Sequence, residues 1–394
     1  MSVSPELRGD RSALVALLQE LVRINSVNPD LDPTSPGEAE VGEHVAARLR
    51  SLGLEVERQP VAPGRQNVLA RLRAPKGRGA ILFDSHLDTQ ALDAMGERAL
   101  SAEVRDGRLY GRGACDDKAS LASMIYALEL LLPHRDRLAA DVLMLASVGE
   151  EHLMNGIKAF AASGVPVDAA VVGEPTDLRV VTAHKGFIRF TLTTHGRAAH
   201  TSNPEEGDNA IYQMGDVLRF IRDRLTRRGS AISHPLLGSP TLAVGRIWGG
   251  VAVNVVPDTC VIEIDRRTLP TESLEGVLAE LDEGLDELRR AHPEVKLSRS
   301  EPMSRDFGLD TPTDSPIVTS ALAACQAELG WAEAIGVRYG TNASTLAGVA
   351  RIPTIVFGPG SILRAHTADE YVPLDEVEAA ARIYARIALG WRRS

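Results

Sequence analysis

At 394 residues the chain is longer than one compact core usually uses, so two domains are the natural expectation. Hydrophobic residues make up 44% and charged residues 24%, an ordinary soluble balance, and a net charge of −10 with no basic block argues against a nucleic-acid or anionic-membrane partner. The three cysteines, Cys115, Cys260 and Cys325, are too few and too scattered for a disulfide framework or a Cys-x-x-Cys pair, which fits a reducing cytoplasm.

The segment Met1 to Asp10 carries Glu6 and Asp10 and no apolar core, so no signal peptide is expected there. No apolar run reaches the ~20 residues of a membrane-spanning helix. Ser12 to Ile24 reads as an amphipathic helix, with Leu14, Leu17, Leu18, Leu21 and Val22 at helical spacing. Glu38 to Leu52 is a second, with Val41, Val45, Ala46 and Leu49 on one face. Strands are expected at Glu55 to Arg58 and Asn67 to Arg73, and a helix at Lys118 to Leu132. Helix and strand patterns alternate as far as Glu174, as in a layered α/β domain with a mostly parallel sheet flanked by helices.

The pattern changes near Lys185. Phe187 to Thr194 alternates apolar and polar residues, as a half-exposed antiparallel strand does. A helix with Ile211, Met214, Leu218 and Ile221 on one face follows, then strands at Leu242 to Trp248 and Thr259 to Arg266. A helix from Ser273 to Arg290 and a last strand at Val295 to Ser298 complete the split βαβ order of ferredoxin-like folds. The expected organisation is therefore a first domain at 1–184 and 301–394, interrupted by an inserted α+β domain at 185–300.

Four apolar runs end in residues that bind metals. Ala80-Ile81-Leu82-Phe83 leads to His86 and Asp88, and Val142 to Ala146 leads to Glu150 and Glu151. Ala169 to Val172 leads to Glu174, and Ile352 to Phe357 leads through a Gly-Pro-Gly turn to His366. Asp116 lies in a glycine-punctuated loop just before the helix at Lys118. Read singly, these are ordinary features: a polar loop, a helix cap, two solvated acids, a turn residue. Read together, they gather at the carboxyl ends of buried parallel strands, where open α/β sheets form their sites. Two histidines and three carboxylates suit a dinuclear centre with one carboxylate bridging. Mixed nitrogen and oxygen donors favour zinc, with cobalt or manganese as alternatives. A further carboxylate beside such a pair supplies a general base, and the whole predicts a hydrolase.

The ordered set Ser85-His86-Leu87-Asp88-Thr89, Tyr110 to Lys118 (YGRGACDDK), Gly149-Glu150-Glu151, Gly173-Glu174-Pro175-Thr176 and Ala365 to Tyr371 (AHTADEY) resembles the dizinc aminoacylase and carboxypeptidase superfamily. That group includes acetylornithine deacetylase, succinyl-diaminopimelate desuccinylase and glutamate carboxypeptidase. The resemblance covers nearly the whole chain and implies a zinc-exopeptidase-like catalytic domain with an inserted ferredoxin-like lid and dimerisation domain. It implies that His86 and Glu174 bind one zinc, that Glu151 and His366 bind the other, and that Asp116 bridges them. It gives Asp88 the support of His86 and Glu150 the role of general base, and it puts a cis peptide at Asp116-Asp117. In the inserted domain it implies that His200 reaches a neighbouring subunit's site to stabilise the oxyanion. Asn254 and Arg267 would grip the substrate's α-carboxylate, a task that suits the guanidinium fork.

Within the group, Gly173 to Thr176, Ala183-His184-Lys185-Gly186 and Gly358-Pro359-Gly360-Ser361 look most like acetylornithine deacetylase. The chain departs from the common pattern at Gln90 to Val104, which lacks an aromatic residue, at Asp117 and Ala119, and at Gly340-Thr341-Asn342-Ala343-Ser344. The expected activity is cytoplasmic, homodimeric, zinc-dependent hydrolysis of an N-acyl amino acid, with N-acetylornithine the lead substrate. Succinyl-diaminopimelate desuccinylation, or dipeptidase or carboxypeptidase action on the same metals, is the alternative. A non-catalytic metal-containing binding protein is a remote one.

Overall fold

Strands Asp141–Ser147, Ala80–His86, Ala169–Val172 and Thr354–Val356 lie side by side and parallel, and nearly every residue in them is buried. This is what a continuous apolar run requires: both faces of the strand must be covered. The structure, a computed structural model, describes residues 7, 9–92, 94–225 and 232–392. Of the amino-terminal segment read above for a signal peptide, residues 1–6 and 8 lie outside these. Antiparallel strands flank the parallel centre. Arg65–Leu72 pairs with Asp141–Ser147, and Glu55–Ala62 pairs with Arg65–Leu72. On the other side Val180–His184 meets Thr354–Val356 at the pair Val181 and Val356.

Helices Arg11–Arg23, Ala39–Ser51, Lys118–Leu131, Pro316–Leu329 and Leu374–Gly390 supply the cover. Lys118–Leu131 is buried along almost its whole length, since its Ala, Ser and Leu residues tolerate neighbours on every side. It packs against Leu374–Gly390, whose Tyr384 ring meets Phe83 at 5.5 Å and Phe357 at 5.4 Å. The Tyr384 hydroxyl donates to the Phe357 carbonyl, so the buried phenol is satisfied.

The chain divides into two units. One comprises 1–182, 311–335 and 341–394; the other comprises 183–310 and 336–340. The second unit is wider than the insert read from the sequence and includes a short return segment. Its sheet runs in the order Thr241–Gly249, Thr259–Thr268, Gly186–His195, Leu297–Arg299, all antiparallel, with Ser304–Asp306 also along Gly186–His195. With helices Ala210–Phe220 and Leu274–Ala291 this gives the ferredoxin-like order. Ile188, Phe190, Leu192, Ile262 and Ile264 pack on Met214, Val217, Leu281 and Leu285.

One helix face differs from the expected one. Ile211 is exposed, and the buried residues are Ala210, Gln213, Met214 and Val217. Gln213 turns inward because its side chain donates to the His195 carbonyl and Asp208 and accepts from the Lys296 amide. A π-turn at Ile221–Leu225 then returns Ile221 and Leu225 to the core.

Candidate metal centre

Each parallel strand leads at its carboxyl end to at least one acid or imidazole. His86 closes Ala80–His86, Glu150 and Glu151 follow Ser147 by three and four residues, and Glu174 follows Val172 by two. Gly173 allows this approach: a Cβ there would stand 2.6 Å from the Ser120 Cβ, on the first turn of Lys118–Leu131. His366 arrives on the turn after Thr354–Val356 with a backbone φ of 61°, in the left-handed region that few side chains adopt. The Asp116–Asp117 peptide is cis, as the resemblance implies.

Two triads of donor atoms result, one from His86, Asp116 and Glu174 and the other from Asp116, Glu151 and His366. Within each, the atoms lie within 4.8 Å of one another. Asp116 belongs to both. Its Oδ1 is 3.0 Å from His86 Nε2 and its Oδ2 is 3.1 Å from His366 Nε2, so one carboxylate faces two imidazoles with a different oxygen. His366 Nε2 is also 3.2 Å from Glu151. His86 Nδ1 points the other way, 2.9 Å from the Asp88 carbonyl and 3.6 Å from its carboxylate. This turns Nε2 towards Asp116 and the centre.

The Asp88 carboxylate is itself a clamp. Its two oxygens accept from the Glu150 and Glu151 amides, each at 3.0 Å, and from Asn28 Nδ2 at 2.8 Å. Gln90 donates to Glu151 at 2.9 Å.

The electrostatics are those of crowded like charges. Burial pushes Glu150 well above the usual glutamate range, and Glu151, Asp116 and Asp88 add to the shift against the pull of His86. Burial does the same to Glu174, with Asp116 and Glu150 adding to it. Burial works to lower His366, but the Asp116 and Glu151 carboxylates overcome it and hold the ring up at about 10. Asp116 goes the opposite way: burial resists, and hydrogen bonds from His366 and His86 bring it below the ordinary aspartate value. Acids gathered this closely around two imidazoles fit divalent cations: imidazole nitrogen and carboxylate oxygen are the donor set of zinc.

His200, Asn254 and Arg267 belong to the second unit. His200 pairs with Val255 on a short two-stranded ladder, and Asn254 accepts from the Thr201 amide, so the two are neighbours. His200 is exposed, and its Nδ1 accepts from the Ser202 amide at 3.1 Å. Arg267 is elsewhere in that unit, near the far end of Thr259–Thr268, where it pairs with Asp265 at 2.8 Å and lies over the Phe187 ring. From Thr259, beside the ladder, to Arg267 the strand runs roughly 25 Å at its usual rise.

Residues 82–390 match the peptidase family M20/M25/M40, and the chain belongs to that family. It is a metal-dependent hydrolase. It is 30% identical over 382 residues to an acetylornithine deacetylase of Aliivibrio fischeri, an alignment covering 94% of this chain and 96% of that one. In fold it resembles the aminopeptidase PepT of Bacillus cereus, with a TM-score of 0.77 and 23% identity over 97% of this chain and 98% of that one. It also resembles the Bacillus subtilis YXEP protein, described as a dinuclear metal binding peptidase, with a TM-score of 0.71 and 17% identity over 96% and 97% of the two chains.

Four residues that the sequence reading left without a role surround the centre: Asn28 on Asp88, Gln90 on Glu151, and the buried pair Arg112 and Glu370. Arg112 and Glu370 lie inside two of the motifs quoted above. Their partners are distant in the chain, so no local spacing points to them.

Proposed function

We propose that the protein hydrolyses the acyl amide bond of an N-acyl amino acid, with N-acetylornithine as the leading substrate, using a pair of zinc ions. Asp116 facing two imidazoles carries this reading. His86 and Glu174 would hold one ion, His366 and Glu151 the other, and Asp116 both. A metal pair bound there supplies Lewis acidity to the amide carbonyl and makes water acidic enough to attack near neutral pH. The raised affinity of Glu150 for a proton suits the remaining work: it takes a proton from the attacking water and hands it to the departing amine. The likeness to acetylornithine deacetylase over almost the whole chain supports the substrate class.

The second unit supports a homodimer in which one copy completes the other's site. His200 and Asn254 sit together while Arg267 lies roughly 25 Å away along the strand. One small substrate cannot touch both ends within a single copy. In this reading the His200 end serves the partner, stabilising the oxyanion, while Arg267 and Asn254 from different copies hold the carboxylate. Three buried, unpaired cysteines and the absence, among the described residues, of a helix long and apolar enough to cross a membrane accord with a cytoplasmic setting.

The substrate test is a panel of N-acetyl, N-succinyl and N-formyl amino acids beside unblocked dipeptides. Each is offered to chelator-stripped protein before and after zinc or cobalt is restored. Metal-dependent turnover led by N-acetylornithine is expected. Cleavage of free dipeptides alone moves the assignment to a dipeptidase. The dimer test mixes two inactive variants, His200→Ala and Glu150→Ala, by co-expression. If His200 acts across the interface, random pairing restores roughly a quarter of the wild-type activity; if it acts within its own copy, nothing returns.

A further inference from the structure

Arg112 and Asp116 are four residues apart, as are His366 and Glu370, and the outer members of these two pairs meet. Arg112 Nη1 donates to Glu370 Oε2 at 2.6 Å, with the side chains only 2% and 0% exposed. The other carboxylate oxygen, Oε1, accepts from the backbone amides of Cys115 at 3.0 Å and Asp116 at 3.1 Å. Thus the amide of Asp116, the shared carboxylate of the centre, is held by an acid from the segment that carries His366.

The same two segments are joined along their length. Tyr371–Pro373 pairs with Arg108–Tyr110, and the Gly111 amide donates to the Glu370 carbonyl at 3.2 Å. Arg112 is fixed in turn: its Nε donates to the Ala91 carbonyl at 3.0 Å and its amide to the Ala99 carbonyl at 2.7 Å. A buried carboxylate with one guanidinium and two amides has its charge met from both sides, and its geometry is set by parts that cannot rotate away.

We propose that Glu370 is a positioning residue of the metal centre: anchored by Arg112, it fixes the Asp116 backbone and sets the distance between the Asp116 and His366 donor atoms. The proposal rests on the metal reading above and adds that the cation site shared by Asp116, Glu151 and His366 reaches its full affinity only when this strut is intact. Asp116 turns a different oxygen to each imidazole, so a displaced Asp116 backbone would misdirect one of the two donors that would hold the cations. Outer residues that orient ligands in this way typically govern metal affinity ten- to a hundredfold.

The test compares wild type with Glu370→Gln, Glu370→Asp and Arg112→Lys. Zinc binding is measured by calorimetric titration of the stripped protein, and the ligand field by the visible spectrum of the cobalt form. Glu370→Gln keeps an acceptor for the two amides but turns against Arg112. It is expected to bind the second zinc about 10–100-fold more weakly, to change the cobalt spectrum, and to lose kcat with little change in KM. Glu370→Asp withdraws the carboxylate by about 1.5 Å, one carbon–carbon bond, and should fall between the two. Should Glu370→Gln fail to fold, Glu370→Asp and Arg112→Lys carry the same comparison. Folded variants with wild-type zinc affinity and an unaltered cobalt spectrum overturn the proposal while leaving the metal reading in place. Wild-type protein that takes up no metal overturns both.

Discussion

The two units treat their sheets in opposite ways. In the first, Ala80–His86 and Ala169–Val172 are buried at every position. In the second, Thr259–Thr268 alternates buried and open residues, and Thr241–Gly249 is largely exposed. Parallel strands covered on both faces leave only their ends for chemistry, so the ligands collect there and are rigidly placed. A sheet with one covered face has a second face and an edge to offer. The first unit thus offers strand ends between covered faces, and the second an open face and a free edge.

The sharpest way to break that division is to remove the proposed proton carrier, Glu150, without disturbing the two donor triads. Glu150→Gln is expected to lower kcat by about 10²–10⁴-fold, since general acid–base assistance is worth that much. Zinc titration should show the binding stoichiometry of the wild type, because none of the two donor triads includes Glu150. Loss of metal together with activity would instead make Glu150 a ligand, and the assignment of the base would have to move to another acid.

The second unit is expected to be the more acid-sensitive in one specific respect. His184 is fully buried, and burial brings it down to about 4, against hydrogen bonding with the Lys185 carbonyl. In the folded chain it therefore stays neutral down to about 4, whereas the unfolded chain takes up a proton below about 6.5. The unfolded state binds more protons within that window, so stability is full above it and falls as the pH drops from 6.5 towards 4. The whole loss amounts to about 3 kcal/mol for this group. Urea midpoints of wild type and His184→Gln, measured at pH 7 and at pH 5, check it. The wild type should lose more stability on acidification than the variant, and parallel losses would remove His184 from the account.

Much of this division is legible in the sequence. Continuous apolar runs in Ala80–His86 and Ala169–Val172 mark covered strands, and alternation in Phe187 to Thr194 marks a half-open one. His86, Glu150, Glu151, Glu174 and His366 can be gathered because each comes after such a run; Asp116, in its glycine-punctuated loop, does not. What stayed hidden was held by contacts between distant segments. Gln213 faces inward through bonds to His195, Asp208 and Lys296, which no helical periodicity encodes. The Asp88 clamp on the Glu150 and Glu151 amides, and the Glu370 clamp on Asp116, use backbone groups, and backbone groups have no sequence signature. The segment 336–340 joins the second unit for the same reason: its partners are far away in the chain.

The gentlest perturbation addresses the open edge. Thr241–Gly249 ends the strand order of its sheet, with Ile247 54% and Trp248 46% exposed, and a register shift between Val244 and Arg246 separates these two from the core-facing Leu242 and Val244. An exposed strand carrying a large aliphatic and an indole is a template for pairing with a second copy. A lysine there is what edge strands use to prevent such pairing. Ile247→Lys should leave the stability of one chain within about 0.5 kcal/mol of wild type, since an exposed side chain gives up little packing. It should nonetheless turn a dimer into a monomer by light scattering, and lower activity through loss of the partner's His200 rather than through the metal. A variant that stays dimeric moves the interface to another surface of the unit; a monomer that keeps full activity removes the need for a partner at all.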